Sequence, residues 1–182
     1  MFDILRSDIQ RYKKNPGDNT ILTAVVAAYV HPSFLGIVWF RMGRAFWLRR
    51  RNLLFLLLLF FNRLLYPLVR LYSGLELSPR AQIGPGLWIG HFGPTVIHVN
   101  VVAGNNLTIL QGVTIGEHKS GVPRLGNNVS IGSGAKVIGG ILVGDNATIA
   151  AGAVVTIDVP SGAVVGGIPA KELRNNPEDL RL

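Results

Sequence analysis

Four histidines and ten carboxylates supply the acid–base chemistry of this 182-residue chain, which has no cysteine. A cysteine nucleophile, a thiolate metal site and a disulfide scaffold are therefore excluded. His91 has the most suggestive setting. It lies in the glycine-rich stretch GLWIGHFG, and Glu76 precedes it by 15 residues. An imidazole held by a carboxylate at one nitrogen can take a proton with the other near neutral pH. The carboxylate fixes the tautomer and stabilises the imidazolium. The residues alone favour the plainer reading, a surface histidine on a turn and a solvated glutamate at a helix-to-strand junction. His31, opening an HPSF segment, reads as structural, and His98 as a rim residue. His118, beside Lys119, is a candidate for a substrate cleft. His91, His98 and His118 are separated by 7 and 20 residues, which does not suit a shared metal ion on a regular repeat, so no metal is expected.

The element that must position these groups is a repeat. From Leu77 to Pro160 the chain divides into fourteen hexads without a slip, and twelve of the fourteen lead with Leu, Ile or Val. One inward aliphatic every six residues, with glycine at the corners, predicts a solenoid. Three hexads make a triangular coil of about 18 residues, hence about 4.7 coils. A sandwich of short strands would instead show period-two alternation with irregular turns. Thr95 and Lys119 break the pattern. The hexad KSGVPR around Lys119 is expected to loop out of the coil, a position where function often sits.

Charge is segregated. Residues 1–80 carry 12 Lys/Arg and 4 Asp/Glu, whereas residues 81–182 carry 6 of each, so the net +8 lies wholly in the first 80. No apolar signal-peptide core follows the polar start, which makes the cytoplasm the expected compartment. Residues 2–12 are expected to form a helix ending near Asn15-Pro16-Gly17, with a second helix capped at Asp18, Asn19 or Thr20. Three arginines, 49–51, precede the apolar run LLFLLLLFF at 53–61. Nine helical residues span about 13 Å, too short for a bilayer core of about 30 Å. Pro67 and Arg70 interrupt the apolar character beyond it. Two readings stay open for 21–72: helices packing within the protein or on neighbouring subunits, and a peripheral anchor facing the cytoplasm. No basic recognition helix or aromatic RNA motif appears, so nucleic acid is not an expected partner.

The hexapeptide register, the ending GGIPAK (166–171), the stretch IGPGLWIGH…NNLTILQGVTIG and the helical HPSFLGIVWFRMGRAFW (31–47) resemble the hexapeptide-repeat acyltransferases, and among them the serine O-acetyltransferase group. The resemblance implies a left-handed parallel β-helix over 76–171, preceded by an N-terminal helical segment (1–75) and followed by a tail (172–182). It implies homotrimers or multiples of trimers, acetyl-CoA as donor, no metal, and clefts between subunits. His91 would be the general base and Glu76 its orienting partner. Gly116, Ser133, Ala151 and Lys171 would bind the coenzyme, and His118 and Arg124 are acceptor-binding candidates. The family's aspartate before the catalytic histidine is Gly90 here, and its Arg-His pair falls at Gly121 and Val122. Loss of these charges points away from an amino-acid acceptor. The expected acceptor is therefore a sugar, small or lipid-linked, in exopolysaccharide or capsule synthesis. Serine is the alternative, and a non-catalytic β-helix scaffold the alternative of another class.

Overall fold

The computed structural model describes residues 2–13, 18 and 20–174. Four helices come first: α1 (Phe2–Gln10), α2 (Thr20–Val30), α3 (Pro32–Leu48) and α4 (Leu53–Ser73). Asn15–Gly17 and Asn19 lie outside the described residues. Pro32 opens α3 from the N1 position, where its missing N–H costs nothing. The Asn52 side chain caps α4 by accepting from Leu54 N, and Gly74, at φ 68°, ends it.

Fourteen short strands then wind a triangular parallel β-helix. The first side holds β1 (Leu75–Leu77), β4 (Thr95–Ile97), β7 (Thr114–Gly116), β10 (Lys136–Ile138) and β13 (Val154–Val155). The second holds β2 (Gln82–Ile83), β5 (Val102–Ala103), β8 (Arg124–Leu125) and β11 (Leu142–Val143). The third holds β3 (Trp88–Ile89), β6 (Thr108–Ile109), β9 (Ser130–Ile131), β12 (Thr148–Ile149) and β14 (Val164–Gly166). β15 (Lys171–Arg174) turns back antiparallel on β14 and closes that end of the third side. Residues 172–174 of the expected tail thus belong to a strand, and 175–182 lie outside the described residues.

The register corrects one expectation. Leu77 pairs with Ile97, a step of 20 residues, and Ala103 with Leu125, a step of 22, whereas Lys136 pairs with Val154 at the regular 18. Two extra residues therefore sit in the turn at 90–94 and four in the loop at 117–122. Together they equal one hexad, which is why the division into sixes looks unbroken. Each hexad has two inward positions, so a slip of two lands on another buried residue. Thr95 is such a residue, at 1 % exposure. The Lys119 loop does project from the coil, with His118 and Gly121 bridging its base.

The first coil of a solenoid exposes strand edges that must be capped. Here the helices do it. Asp8 and Arg41 form a buried bidentate pair, Nε to Oδ2 at 2.8 Å and Nη2 to Oδ1 at 3.0 Å. Asp8 also accepts from Leu87 N at 2.8 Å, while Arg41 donates to the carbonyls of Ile83 and Gly84 at 2.6 and 2.7 Å. Burial pushes the Asp8 carboxyl above its ordinary range, against the pull of Arg41 and of two backbone N–H groups. Ser33 donates to Ile89 O, and Tyr66 accepts from Leu77 N. Gly36 and Gly43 let α3 and α4 touch: a methyl on Gly43 would stand 2.6 Å from Asn62 Oδ1 and 2.8 Å from Pro79.

α4 also departs from expectation. It runs unbroken for 21 residues, about 31 Å, through Pro67. The N–H that proline lacks would have met the carbonyl of exposed Arg63, which water can satisfy instead.

Removing one partner of a buried pair strands the other charge. Arg41→Met should therefore cost about 3–5 kcal/mol in denaturant unfolding. A loss below about 1 kcal/mol would show that the pair does not hold the cap.

Candidate active site

His91 sits on the two-residue insertion, at the corner between the third and first sides, and is exposed. Its φ is +64°. In the coils above, the same corner is turned by Gly112, Gly134 and Gly152, with φ of 77°, 71° and 69°. A Cβ in the left-handed region costs about 1–2 kcal/mol. The first coil thus puts the left-handed residue of this corner on a histidine, one position before the glycines in register, and strained positions of this kind cluster at active sites.

One corner carries three of the four coenzyme candidates, Ser133, Ala151 and Lys171. The register from Ile89 through Ile109, Ile131 and Ile149 to Val165 sets His91, Gln111, Ser133, Ala151 and Gly167 in a column. Neighbouring coils lie about 4.8 Å apart. Gly134 N donates to Gln111 O and Gly152 N to Ser133 O, which locks the column. Lys171 pairs with Gly166 at its upper end and is exposed. Lys136 is engaged internally, donating to Gly112 O and Thr114 Oγ1. Gln111 was not anticipated from sequence. Its Oε1 is buried and has no hydrogen-bond partner. The sequence signal was a polar residue at a corner that is otherwise small.

Glu76 lies outward on β1, opposite Val96. Its carboxylate meets Arg70 at 3.1 Å. The hydrogen bond Thr95 N to Gly74 O, with Gly93 packed on Gly74, brings the His91 turn beside the start of β1, but no contact between Glu76 and His91 is seen within the chain. Glu76 instead lines a cleft of about 330 Å³ together with Arg63, Tyr66, Ser78, His98 and Gly116. Gly116 is therefore on the far edge of the first side from Ser133 and Ala151. His98 is fixed there, Nε2 at 3.4 Å from Glu117 and Nδ1 accepting from Asn100 N. His118 is exposed on the loop near this edge. Arg124 faces elsewhere, lining a groove on the second side with Leu142 and Asp158. His31 precedes α3 with its ring 5.5 Å from that of Tyr12, a packing role.

The coil, the corner histidine and the free edge above it define a hexapeptide-repeat transferase. The family model "bacterial transferase hexapeptide (six repeats)" matches residues 123–156. The serine acetyltransferase of Synechococcus elongatus is 38% identical over 176 residues, spanning 94% of this chain and 68% of that one. The serine-bound crystal structure of Neisseria gonorrhoeae serine acetyltransferase superposes with a TM-score of 0.78 at 31% identity, covering 95% and 69% of the two chains. A serine acetyltransferase solved with CoA gives 0.78 at 29% identity, covering 94% and 68%. This chain belongs to the serine acetyltransferase family, and is an acetyltransferase. These relatives are serine enzymes, and the expected saccharide acceptor finds no support among them.

Glycine relieves left-handed strain at the cost of a floppier unfolded chain. His91→Gly should thus leave stability unchanged or raise it by up to about 1 kcal/mol, while His91→Val should lower it. Urea unfolding checks both. A His91→Gly variant destabilised by more than about 1 kcal/mol would remove the strain argument.

Proposed function

We propose that the protein transfers an acetyl group from acetyl-CoA to the hydroxyl of L-serine, with His91 as general base. The observation that carries this is a strained corner histidine in a chain matching serine acetyltransferases over nearly its whole length. The serine Oγ attacks the thioester carbonyl as His91 takes the hydroxyl proton. The tetrahedral intermediate collapses, the C–S bond breaks, and the imidazolium returns the proton to the departing thiolate. O-acetylserine and free CoA result. Glu76 is the orienting carboxylate. Its pair with Arg70 is about half exposed, and such bridges are worth only about 0–1 kcal/mol, so it can turn to the imidazole at little cost.

The pantetheine arm runs up the corner past Ser133 and Ala151, Gln111 Oε1 accepts from one of its amides, and Lys171 meets the phosphates. Gly116, His98 and His118 contribute from the other edge. Trimeric assembly brings that edge of one subunit against the His91 corner of the next. Serine needs a cation for its α-carboxylate, and Gly121 and Val122 supply none. Arg63 lines the Glu76 cleft and makes no ion pair among the described residues, so we assign it this role. A saccharide acceptor is the second reading, favoured only by the missing charges at Gly90, Gly121 and Val122.

An acceptor panel of L-serine with UDP- and lipid-linked sugars tests the assignment. Serine should drive CoA release, and His91→Ala should lower turnover at least about 100-fold with the fold intact. Glu76→Gln should cost less. Arg63→Ala should raise the KM for serine and leave that for acetyl-CoA unchanged. Turnover with a saccharide alone would move the acceptor, and no acceptor-dependent release at all would make the chain a scaffold.

A further inference from the structure

The mechanism uses one flank of α4, at Arg63 and Arg70, and leaves the face opposite its seam as the least explained surface of the molecule. Its seam on α3 and the first coil is narrow: Phe55, Leu59, Asn62, Tyr66, Val69 and Ser73, alternating steps of four and three. At 100° per residue, Leu53, Leu57, Phe60, Leu64, Leu68 and Leu71 fall diametrically opposite this seam. All six are exposed, Leu53 and Leu71 at 80%. An apolar stripe running the length of a 21-residue helix exceeds what isolated surface leucines explain.

Charge selects the occupant. Between Asp18 and Glu76 the chain has seven arginines, no lysine and no carboxylate. Arg49, Arg50 and Arg51 are all exposed at the start of α4, whereas Arg63 and Arg70 turn to the Glu76 cleft. A second copy laid on α4 would face like charge with like, without an acid on either helix pair to relieve it. An anionic bilayer answers both features, since its headgroups take the guanidinium groups and its acyl boundary takes the leucines.

We infer that α4 docks the protein on an anionic lipid surface, lying in the plane of the interface with its Leu/Phe stripe inserted. Length alone would let α4 cross a bilayer, but its middle is bolted to polar structure. Asn62 packs on Gly43 of α3, which Pro79 also adjoins, and Tyr66 accepts from Leu77 N of the first coil. Arg80 adjoins these residues and is exposed. A spanning α4 would carry that coil into hydrocarbon, whereas an in-plane α4 leaves it in water.

Flotation with vesicles of equal parts phosphatidylglycerol and phosphatidylcholine tests the inference on the full chain. The wild type should float at low salt, and less with pure phosphatidylcholine. Arg49→Glu, Arg50→Glu and Arg51→Glu combined should lower the partition coefficient at least about tenfold. Leu57→Gln with Leu64→Gln should do likewise, and acetyl-CoA binding should survive in both. Brominated lipid should quench tryptophan emission of the wild type, a readout that needs no variant to fold. Absence of flotation and quenching, flotation indifferent to lipid charge, or concentration-dependent dimers abolished by the leucine substitutions would each overturn it.

Discussion

The exposed edge of the first coil is the constraint on which the rest depends. A parallel β-helix satisfies each coil with the next, so its first turn has backbone groups facing nothing. Asp8 and Arg41 answer this by bonding each other and the backbone of Ile83, Gly84 and Leu87 together. Ser33 and Tyr66 finish the edge at Ile89 and Leu77. The helices are thus part of the solenoid's folding problem. Their placement fixes α4 beside the first coil, with one face committed and the other free.

With that end fixed, the coil can vary only at its corners. Inward positions are packed tightly, as the stack from Ile89 to Val165 illustrates, and tolerate little change. Corners face solvent, and an insertion there disturbs no stack. The fold uses this twice, with two residues around His91 and four around Lys119. The first insertion puts an imidazole, the proposed base, on the outside of the solenoid, at the foot of the column leading up through Gln111, Ser133 and Ala151 to Lys171. The second supplies a loop beside His98 and Gly116. On the proposed function, chemistry is thereby separated from stability: the repeat holds the chain together, and the departures from it carry the proposed site.

Much of this was legible in the sequence, because hexad periodicity reports inward positions directly. The solenoid and the projecting Lys119 loop followed from spacing, and His91 became a candidate through the family resemblance. The first slip was hidden because insertions of two and four restore the period, and because Thr95 is buried in a slot an aliphatic could fill. The extent of α4 was hidden by Pro67, whose helix-breaking effect is weak where the freed carbonyl reaches water. The partners of Asp8 and Arg41 were invisible, since nothing local in sequence pairs residues 33 positions apart. The sugar acceptor was drawn from local motif losses at Gly90, Gly121 and Val122, and the relatives lend it no support. Arg63, which reaches the Glu76 cleft from another element, left no trace in the motif.

The separation of repeat from insertion can be tested by deleting His91 and Phe92, which leaves a first coil of regular length. The account predicts a protein that still unfolds cooperatively and still binds acetyl-CoA, and that has lost acetyl transfer. A deletion variant that fails to fold, or one that still acetylates its acceptor, would contradict the claim that this turn exists for catalysis.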